Sequence, residues 1–377
     1  MGLMAEPKPP QPLTYDQLVS YEDMDPFKVD ATEAAASTSQ NLERYGYAEL
    51  AASRGESSYV WDEGNKYRAG VIEGLGTKNL VADCVDENEP LAASHYGAIA
   101  QDSIAMIAND LIVSGADPQL FWVHLAAGES AWFTDERRTK AFNLGCAAVC
   151  NEIGVTWAGG ESPTLPDIIV PGTSEISGFM LGEINPKGRY VPGNTLEDGD
   201  AIVLVESSGI HANGLSSARR LSEQLPDSYQ TLLPDGTTFG ESLLRPTNLY
   251  VNLVQGLLNR RVTLKRMENI TGHGWRKLMR AREAYTYRIH ELPPAMPIFD
   301  FLREHLRVDY GEMFGNYNNG AGFAVYTPRN EVDEVVAEAS EHGLTAWYAG
   351  NVEKGPKQVI IEPLKLIFKA ESLGVRK

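Results

Sequence analysis

Residues 101–118 read Gln-Asp-Ser-Ile-Ala-Met-Ile-Ala-Asn-Asp-Leu-Ile-Val-Ser-Gly-Ala-Asp-Pro. This stretch predicts a helix that ends at Gly115 and Pro118, because both residue types interrupt helical hydrogen bonding. At about 100° per residue, its isoleucine, leucine and alanine side chains cover most of the helical circumference. That pattern is typical of a helix packed on nearly all sides, so we expect this helix in the core of a folded domain.

The oxygen-bearing side chains of this helix gather on one arc. Asp102 and Asn109 lie about 20° apart on the helical wheel, and Ser103 and Asp110 lie within about one turn of them. A buried carboxylate is costly unless it is paired, and Mg²⁺ can use two carboxylates and an amide oxygen together. Two interpretations stay open. The arc binds a divalent cation, or Asp102 caps the helix and Asp110 meets an arginine or a backbone amide.

The composition is that of an acidic globular protein. The chain has 377 residues, of which 43% are hydrophobic, and a formal net charge of −18 at pH 7. This length suffices for two domains with full cores. The negative charge repels phosphate backbones and anionic lipid, so we predict neither a nucleic-acid polymer nor a membrane as a partner. Any bound phosphate must then be met locally, by a metal ion or by backbone N–H groups.

Cysteine usage and the chain start indicate a cytoplasmic protein. The three cysteines are too few for a disulfide framework, and no zinc-ligand spacing is present. There is no apolar run of 18 residues and no secretory leader. The four prolines between residues 5 and 12 predict a flexible arm over residues 1–20.

The rest of the chain alternates between strand and helix patterns, which predicts an α/β (α+β) fold. In the first half we predict a helix at 135–153 and strands at 67–72, 120–126, 155–158 and 177–184. In the second half we predict helices at 215–225 and 331–342, and strands at 201–206 and near 347 and 359. Residues 30–50 have helical composition, and residues 56–65 suggest a polar loop. Turn residues at 185–188 predict a boundary between domains at 21–186 and 187–377.

Two glycine turns in the first half can bring backbone close to a ligand. Residues 73–78 read Glu-Gly-Leu-Gly-Thr-Lys and offer amides, a hydroxyl and a cation to an anion, although the Walker spacing is absent. Gly159, Gly160 and Glu161 end another predicted strand with a carboxylate that a ligand can approach. The alternatives are a tight turn with a surface lysine and a hairpin turn with a solvated glutamate.

Two loops in the second half have the geometry of phosphate-binding sites. Residues 207–214 read Ser-Ser-Gly-Ile-His-Ala-Asn-Gly and lie between a predicted strand and a predicted helix, where free N–H groups can hold a phosphate. Residues 268–275 read Glu-Asn-Ile-Thr-Gly-His-Gly-Trp and again open a predicted helix. Together the loops predict a phosphorylated ligand, although each alone could be only a glycine turn. His211 and His273 lie inside them.

Taken in order, these loops resemble those of the aminoimidazole ribonucleotide synthetases, also called phosphoribosylformylglycinamidine cyclo-ligases. The resemblance runs from about residue 21 to residue 361. It rests on Tyr21-Glu22-Asp23 with Val29-Asp30-Ala31, residues 74–78, Asp102 with Asn109-Asp110-Leu111 and Gly115-Ala116, residues 159–161, residues 207–214, Pro246-Thr247 with Tyr250-Val251, Ile270-Thr271-Gly272, and Glu312-Met313 with Asn316 and residues 318–322. In that family an N-terminal sheet pairs across a homodimer, and ATP with Mg²⁺ lies in a groove lined by acids. The enzyme phosphorylates the formamide oxygen of formylglycinamidine ribonucleotide and then closes the imidazole ring.

The resemblance implies a role for each matching residue. The implied metal ligands are Asp102, Asp110 and Glu161. The implied ATP-binding residues are Glu73, Gly74, Gly76, Thr77, Lys78, Asn109 and Gly160. The implied binders of the phosphorylated ribonucleotide are Ser208, Gly209, His211, Asn213, Gly214, Thr271 and Gly272. The implied catalytic residues are Lys78 and Asp102, which serve the charge of phosphoryl transfer, and His211, which orients the substrate or its phosphate.

Some positions depart from the family pattern. Glu73 replaces an aspartate, His124 stands where a strand aspartate is usual, and His273 replaces the third residue of a Thr-Gly-Gly-Gly loop. The longer side chain of Glu73 can still reach a cation, whereas His273 adds a side chain where the family keeps the backbone bare. Two alternatives therefore stay open: a different ATP-dependent enzyme that activates an amide or carboxylate, and a catalytically silent member that binds only a nucleotide or a partner protein.

Overall fold

The computed structural model describes residues 20–88 and 93–373, and residues 12, 14, 17 and 18 besides. Each half of the chain is built on one mixed β-sheet, so the predicted α/β (α+β) fold is confirmed. The arm predicted over residues 1–20 lies almost wholly outside the described residues. Within the described ranges, no helix is both long and apolar enough to cross a membrane.

The first half forms a sheet that helices cover on one face. Its elements are α1 (Tyr21–Ala36), β1 (Ala48–Glu49), β2 (Tyr59–Asp62), β3 (Tyr67–Gly74), α2 (Lys78–Asn88), α3 (Tyr96–Ile112), β4 (Asp117–Ala127), α4 (Glu136–Glu152), β5 (Thr156–Glu161) and β6 (Ser174–Ile184). The strand order is β1-β2-β3-β6-β4-β5, antiparallel except for the β4–β5 pair. Side chains alternate along β6, so Met180 is fully buried while the adjacent Phe179 is 37% exposed on the other face. That other face is not covered by any element of the described chain.

The second half forms a longer sheet around a strand that is buried on both faces. Its elements are β7 (Ala201–Glu206), α5 (Leu215–Ser222), α6 (Phe239–Leu243), α7 (Val251–Asn259), β8 (Arg266–Asn269), β9 (Tyr285–Ile289), α8 (Pro297–Leu306), α9 (Tyr310–Asn316), β10 (Ala321–Thr327), α10 (Val332–Glu341), β11 (Ala346–Lys354), β12 (Gln358–Ile361) and β13 (Leu366–Lys369). The strand order is β13-β12-β9-β11-β7-β10-β8. The buried strand β7, which lies between β11 and β10, is the apolar run predicted at 201–206, and the predicted bounds match at both ends. Residues 185–200, which include the predicted domain boundary, connect the two sheets.

The helix α3 lies in the core, as its apolar pattern predicts. Ile104, Ile107 and Leu111 are all fully buried. The helix ends at Ile112, and Gly115 follows with a φ of +82°, where an added Cβ would lie 2.0 Å from the carbonyl oxygen of Arg189. Only glycine fits this turn. The sheet strand β4 begins directly afterwards, so residue 118 belongs to a strand and does not itself stop the helix.

Two predicted segments have a different structure. The polar loop predicted at 56–65 contains the strand β2, whose Tyr59-Val60-Trp61 sequence pairs with β3. Residues 30–50 do not form one helix, because α1 ends at Ala36 and a 3₁₀ helix (Ser39–Tyr45) and β1 follow. In both places, pairing with a distant part of the sheet outweighs local composition. The helix predicted after the 268–275 loop is present and is a 3₁₀ helix (Gly274–Met279).

Candidate active site

A cavity of about 450 Å³, here named the site cavity, lies where the two halves of the chain meet. The first half contributes α1, the loop at 55–57, the end of β3 and the middle of α3. The second half contributes two loops, the 3₁₀ helix after the second loop and the last described residue. The lining residues are Lys28, Thr32, Gly55, Glu56, Ser57, Glu73, Gly74, Met106, Asp110, Ala212, Asn213, Thr271, His273, Lys277, Arg280 and Leu373.

Three carboxylate residues of the first half line the site cavity, and two of them, Glu73 and Asp110, interact with each other. Glu73 follows the buried Val71 on the helix-covered face of β3, and Asp110 comes from α3 and is only 6% exposed. The Oδ1 atom of Asp110 accepts a hydrogen bond from Asn269 Nδ2 at 2.7 Å. Glu73 is open to the cavity, but the surrounding walls desolvate it and Asp110 adds a negative charge, so its pKa rises to about 7. Lys277 and Arg280 lower the pKa of Glu73 but do not cancel the rise. Carboxylate oxygens such as these are the ligands that Mg²⁺ prefers.

Lys277 brings a cation to the same place from the second half. Its Nζ donates hydrogen bonds to the carbonyl oxygen of Asn269 at 3.2 Å and to Oγ1 of Thr271. Burial lowers the pKa of Lys277, and the charge of Asp110 acts in the opposite direction. The side chain is therefore held between the Thr271 loop and the carboxylates, in reach of an anion that enters the cavity.

Arg280 and Lys28 complete the positive part of the lining. Arg280 Nη1 donates to Oγ of Ser57 at 2.8 Å, which ties the 55–57 loop to the second half. Lys28 projects from α1 and forms an ion pair with Asp25 at 3.1 Å. A cavity with both carboxylates and cations can hold a ligand that carries phosphate together with a divalent metal.

His273 stands in the cavity wall in a left-handed conformation, with a φ of +69°. Burial and, after it, the charges of the neighbouring Arg276, Lys277 and Lys28 lower its pKa to about 4. At neutral pH the ring is therefore uncharged, and it can donate or accept a hydrogen bond without adding a charge to the cavity. The departure from the family pattern at this position thus places a neutral imidazole against the ligand space.

The site cavity brings together some of the residues that the sequence predicts. Glu73, Gly74, Asp110, Asn213 and Thr271 line it. Sequence reasoning missed Lys28, Lys277 and Arg280. Lys277 and Arg280 lie in and directly after the 3₁₀ helix that follows the Thr-Gly-His-Gly loop. Cationic residues soon after a predicted phosphate-binding loop are therefore the sequence feature that could have indicated them. No comparable signal singles out Lys28.

Lys78 and Asp102 do not reach the site cavity. Both side chains are fully buried, and Lys78 Nζ lies 2.9 Å from Asp102 Oδ1. Lys78 also donates to the carbonyl oxygen of Arg245 at 2.7 Å. Asp102 Oδ1 accepts from the backbone N–H of Thr247 at 2.8 Å and from its hydroxyl at 2.5 Å. Asp102 is thus neutralised by Lys78, and it does not cap α3.

The remaining amide of the arc and the histidine of the first loop are also inside the protein. Asn109 Nδ2 donates to the carbonyl of Asn248 at 2.8 Å, and its Oδ1 accepts from the N–H of Tyr250 at 3.0 Å. His211 is buried, and its Nε2 accepts from the N–H of Ser208 at 3.2 Å. Burial and the charge of Lys78 lower the pKa of His211 to about 3. Its imidazole is neutral and holds its own loop.

The other residues of the 207–214 loop hold the backbone in place. Ser208 Oγ donates to the carbonyl of Pro246 at 2.5 Å, and the carbonyl of Gly209 accepts from Asn318 Nδ2 at 2.9 Å. Gly214 begins α5 with a φ of +79°, and an added Cβ there would lie 2.1 Å from the ring of Tyr317. Ala212 and Asn213 are the residues of this loop that line the site cavity. Gly76, Thr77 and Gly272 are neighbours of lining residues and do not line the cavity themselves.

Glu161 and Gly160 lie on the open face of the first sheet. They line a second cavity of about 290 Å³, here named the sheet-face cavity, with Ile72, Trp122 and Phe179 among its walls. Glu161 is in register with His124 on β4, and His124 Nδ1 lies 3.4 Å from Glu175 Oε2. The described part of the chain contains no group of three or more His, Cys, Asp or Glu side chains placed to hold a metal. Asp102, Asp110 and Glu161 are therefore not brought together within one chain, because they lie in the core, the site cavity and the sheet-face cavity respectively.

Family models match both halves of the chain. The N-terminal domain of the family described as AIR synthase related protein matches residues 67–184, and its C-terminal domain matches residues 197–362. The chain belongs to the AIR synthase related protein family. The resemblance seen in the motifs is thereby confirmed.

Curated relatives agree with this family. A phosphoribosylformylglycinamidine cyclo-ligase of Methanococcus maripaludis is 31% identical over 339 residues, which cover 89% of this chain and 93% of the relative. The enzyme of the same name from Carboxydothermus hydrogenoformans is 32% identical over 296 residues, covering 77% and 81% of the two chains.

The solved structures are more distant in sequence. A thiamine-monophosphate kinase from Stenotrophomonas maltophilia matches with a TM-score of 0.56 and 18% identity, over 81% of this chain and 88% of that one. A hydrogenase maturation protein HypE in complex with ATP matches with a TM-score of 0.53 and 17% identity, over 72% and 78%. These two structures support the fold alone.

Proposed function

We propose that this protein is a phosphoribosylformylglycinamidine cyclo-ligase of purine biosynthesis, working in the cytoplasm. The observation that carries the proposal is the 31% identity to an enzyme of that name along 89% of the chain. The chemistry of the site cavity is compatible with it. The reaction uses ATP to convert formylglycinamidine ribonucleotide into aminoimidazole ribonucleotide.

The cations of the site cavity are suited to a phosphorylated ribonucleotide and to ATP. Lys277 and Arg280 are the side chains that we assign to the anionic oxygens, because both line the cavity and both influence the electrostatics of Glu73. Asn213 and Thr271 add an amide and a hydroxyl that can orient the ligand. Lys78 is not given this role, since it is fully buried beside Asp102.

Glu73 and Asp110 are the residues that would hold Mg²⁺. The fit rests on their own geometry: both carboxylates line one cavity, and desolvation together with the charge of Asp110 raises the pKa of Glu73 although Lys277 and Arg280 act in the opposite direction. Mg²⁺ commonly binds proteins through one or two carboxylates and takes its other oxygens from phosphates and water. When bound, the ion would balance charge on the transferred phosphoryl group.

The residues of this chain then act by position and charge. An amide oxygen is a poor leaving group, so ring closure requires its conversion to a phosphate ester by the γ-phosphoryl group of ATP. Lys277 and Arg280 would stabilise the charge that develops during this transfer. The neutral His273 would contact the bound ligand without repelling Lys277. None of the carboxylates needs to act as a nucleophile.

We further propose that the protein works as a homodimer through the open face of its first sheet. Ile72 is 75% exposed there, and Phe179 packs against Trp122 with ring centroids 5.8 Å apart. Contiguous apolar and aromatic groups on a sheet face favour burial against a second surface. A second copy offers the same surface, which is the geometry of a twofold dimer.

A turnover assay tests the proposed reaction. Purified protein is incubated with formylglycinamidine ribonucleotide, ATP and Mg²⁺, and ADP and aminoimidazole ribonucleotide are measured. We expect both products in equal amounts. ATP binding by calorimetry without either product would instead support a silent nucleotide-binding member, and ADP release only with another amide or carboxylate would support a different activating enzyme.

A further inference from the structure

Three polar side chains of α3 form hydrogen bonds to one segment of the second half, residues 245–250, here named the clasp segment. Gln101 Nε2 donates to the carbonyl of Thr247 at 2.9 Å. Asp102 accepts from the N–H and the hydroxyl of Thr247, as described above. Asn109 makes the two amide hydrogen bonds to residues 248 and 250. The helix thus holds the backbone of this segment at residues 247, 248 and 250. Asp110 instead lines the site cavity.

The clasp segment also holds the 207–214 loop and the strand before it. Ser208 Oγ donates to the carbonyl of Pro246, and Asn248 Nδ2 donates to the carbonyl of Glu206 at 3.1 Å. The hydroxyl of Tyr250 donates to the same carbonyl at 2.7 Å. Any shift of the clasp segment relative to α3 would therefore move the loop that carries Asn213.

Lys78 connects this arrangement to the glycine turn of the first half. It is the first residue of α2 and directly follows residues 73–77, which include Glu73 and Gly74 of the site cavity. Its ammonium group reaches both Asp102 and the carbonyl of Arg245. One side chain therefore ties the glycine turn, α3 and the clasp segment to a single point.

We propose that Lys78 and Asp102 are positioning residues: their buried ion pair fixes the glycine turn of the first half relative to the 207–214 loop of the second half, and neither side chain touches the reacting atoms. This inference rests on the proposed function for its catalytic readout. The geometry that carries it is the full burial of both groups and the absence of both from the lining of the site cavity.

An ion pair suits such a role because it resists displacement. A buried charge that loses its partner is strongly unfavourable, so a single unpaired charge displaces the groups around it, whereas a matched pair leaves them in place. Phosphoryl transfer depends steeply on alignment, and a misplacement of about 1 Å can cost on the order of 100-fold in rate. The pair can therefore affect turnover without contacting the substrate.

The first test separates positioning from direct action by removing both charges together. Lys78→Met and Asp102→Asn singly leave one buried charge without its partner, so each should lower the thermal midpoint and reduce kcat by on the order of 100-fold. The double variant has no charge at either position. It should recover most of the lost thermal midpoint, and its kcat should exceed that of each single variant by at least about 10-fold. A double variant that folds like the wild type and is no more active than Lys78→Met would overturn the proposal, because Lys78 would then act on the phosphoryl group itself.

The second test weakens the contact between Asp102 and the clasp segment without changing any charge. Thr247→Val removes the hydroxyl that donates a hydrogen bond to Asp102, and Thr247→Ser keeps that hydroxyl. We expect Thr247→Val to lower kcat by about 10-fold while the KM values for ATP and for the ribonucleotide stay within about 2-fold, and Thr247→Ser to restore kcat. Equal kcat in the two variants would contradict the proposal.

A matched control distinguishes this effect from loss of stability. Glu338 is 3% exposed and pairs with Arg260 and His342 between α7 and α10. Glu338→Gln should lower the thermal midpoint and leave kcat unchanged. If the wild type has no cyclo-ligase activity, the proposed function fails, while the order of thermal midpoints, with both single variants below the double variant, still decides whether Lys78 and Asp102 act as one pair.

Discussion

Glu73 is the residue on which the metal assignment depends most. Its carboxylate shares the site cavity with Asp110, and its pKa is raised to about 7. We predict that Glu73→Gln raises the Mg²⁺ concentration needed for half-maximal turnover by about 10- to 100-fold, because one oxygen ligand loses its charge. Glu56→Gln is the control, since Glu56 lines the same cavity but its carboxylate is paired with Arg266 at 3.2 Å. An equal Mg²⁺ requirement in both variants would argue against Glu73 as a ligand.

Asp83 gives a second prediction at the residue scale, this time on stability. It is buried against α3, where its Oδ1 accepts from the hydroxyl of Tyr96 at 2.8 Å and lies 3.4 Å from Arg138. Burial raises its pKa from 3.8 to about 6 despite these partners. The folded state therefore favours the protonated form, and the stability that this provides is lost as the pH rises from about 4 through 6.

The Asp83→Asn variant should not lose this stability as the pH rises. Asp83→Asn keeps an oxygen that accepts from Tyr96 and cannot ionise, so its stability gain over the wild type should grow between pH 4 and 6 and then level off, at up to about 3 kcal/mol. Thermal unfolding at pH 4.5 and pH 8 measures it, where both pH values are about one to two units from the folded pKa. A gain that is the same at both values would contradict the assigned pKa.

At the scale of single elements, α3 shows what the sequence can and cannot predict. Its burial follows from the apolar pattern alone, because Ile, Leu and Ala on all sides leave no face for water. The partners of its polar residues do not follow. Asp102 meets Lys78 and Thr247, which are 24 and 145 positions away in the sequence, and local spacing carries no information about such contacts. The wheel groups Asp102 with Asp110, yet only Asp110 faces the site cavity.

The strands of the first sheet show a similar limit. A carboxylate behind two glycines was recognisable at the end of β5, and so was the glycine turn after β3. Which face of the sheet each one occupies depends on the pairing of β4 with β5 and β6, which brings Glu161 beside His124. Successive side chains along a strand point to opposite faces of the sheet. Two motifs that look equivalent in the sequence can therefore lie in different cavities.

The helix α1 provides the prediction that belongs to this scale. It is exposed along nearly its whole length, with Phe27 75% exposed, and Lys28 and Thr32 are its residues in the cavity wall. We predict that Lys28→Ala weakens binding of the ribonucleotide by about 10-fold, because one charge-assisted contact to phosphate is lost. Calorimetry measures this affinity.

Lys140→Ala is the matched control for α1. Lys140 is also a helical lysine, paired with Glu136 at 2.6 Å on the surface of α4 and outside the site cavity. Its removal should leave the affinity unchanged. A similar loss in both variants would mean that net charge, and not the position of Lys28, governs binding.

For the whole molecule, the dimer is the property that the sequence suggests and a single chain cannot display. The open sheet face combines exposed Ile72 and Phe179 with the half-buried Trp122. We predict that the wild type has the mass of two chains in light scattering, and that Phe179→Glu has the mass of one chain, because a charge at the centre of an apolar interface is not solvated. Phe27→Glu on α1 is the control and should stay dimeric. A wild type that is monomeric at micromolar concentration would contradict the proposed assembly.

The cyclo-ligase account makes its central claim about one atom, the formyl oxygen of the substrate. Formylglycinamidine ribonucleotide labelled with ¹⁸O at that position is incubated with the protein, ATP and Mg²⁺, and the phosphate released during ring closure is examined by mass spectrometry. If the oxygen is phosphorylated before the ring closes, the label appears in inorganic phosphate, at one atom per molecule of aminoimidazole ribonucleotide formed. Unlabelled phosphate together with labelled water would show direct dehydration with separate hydrolysis of ATP, and would contradict the phosphorylated intermediate.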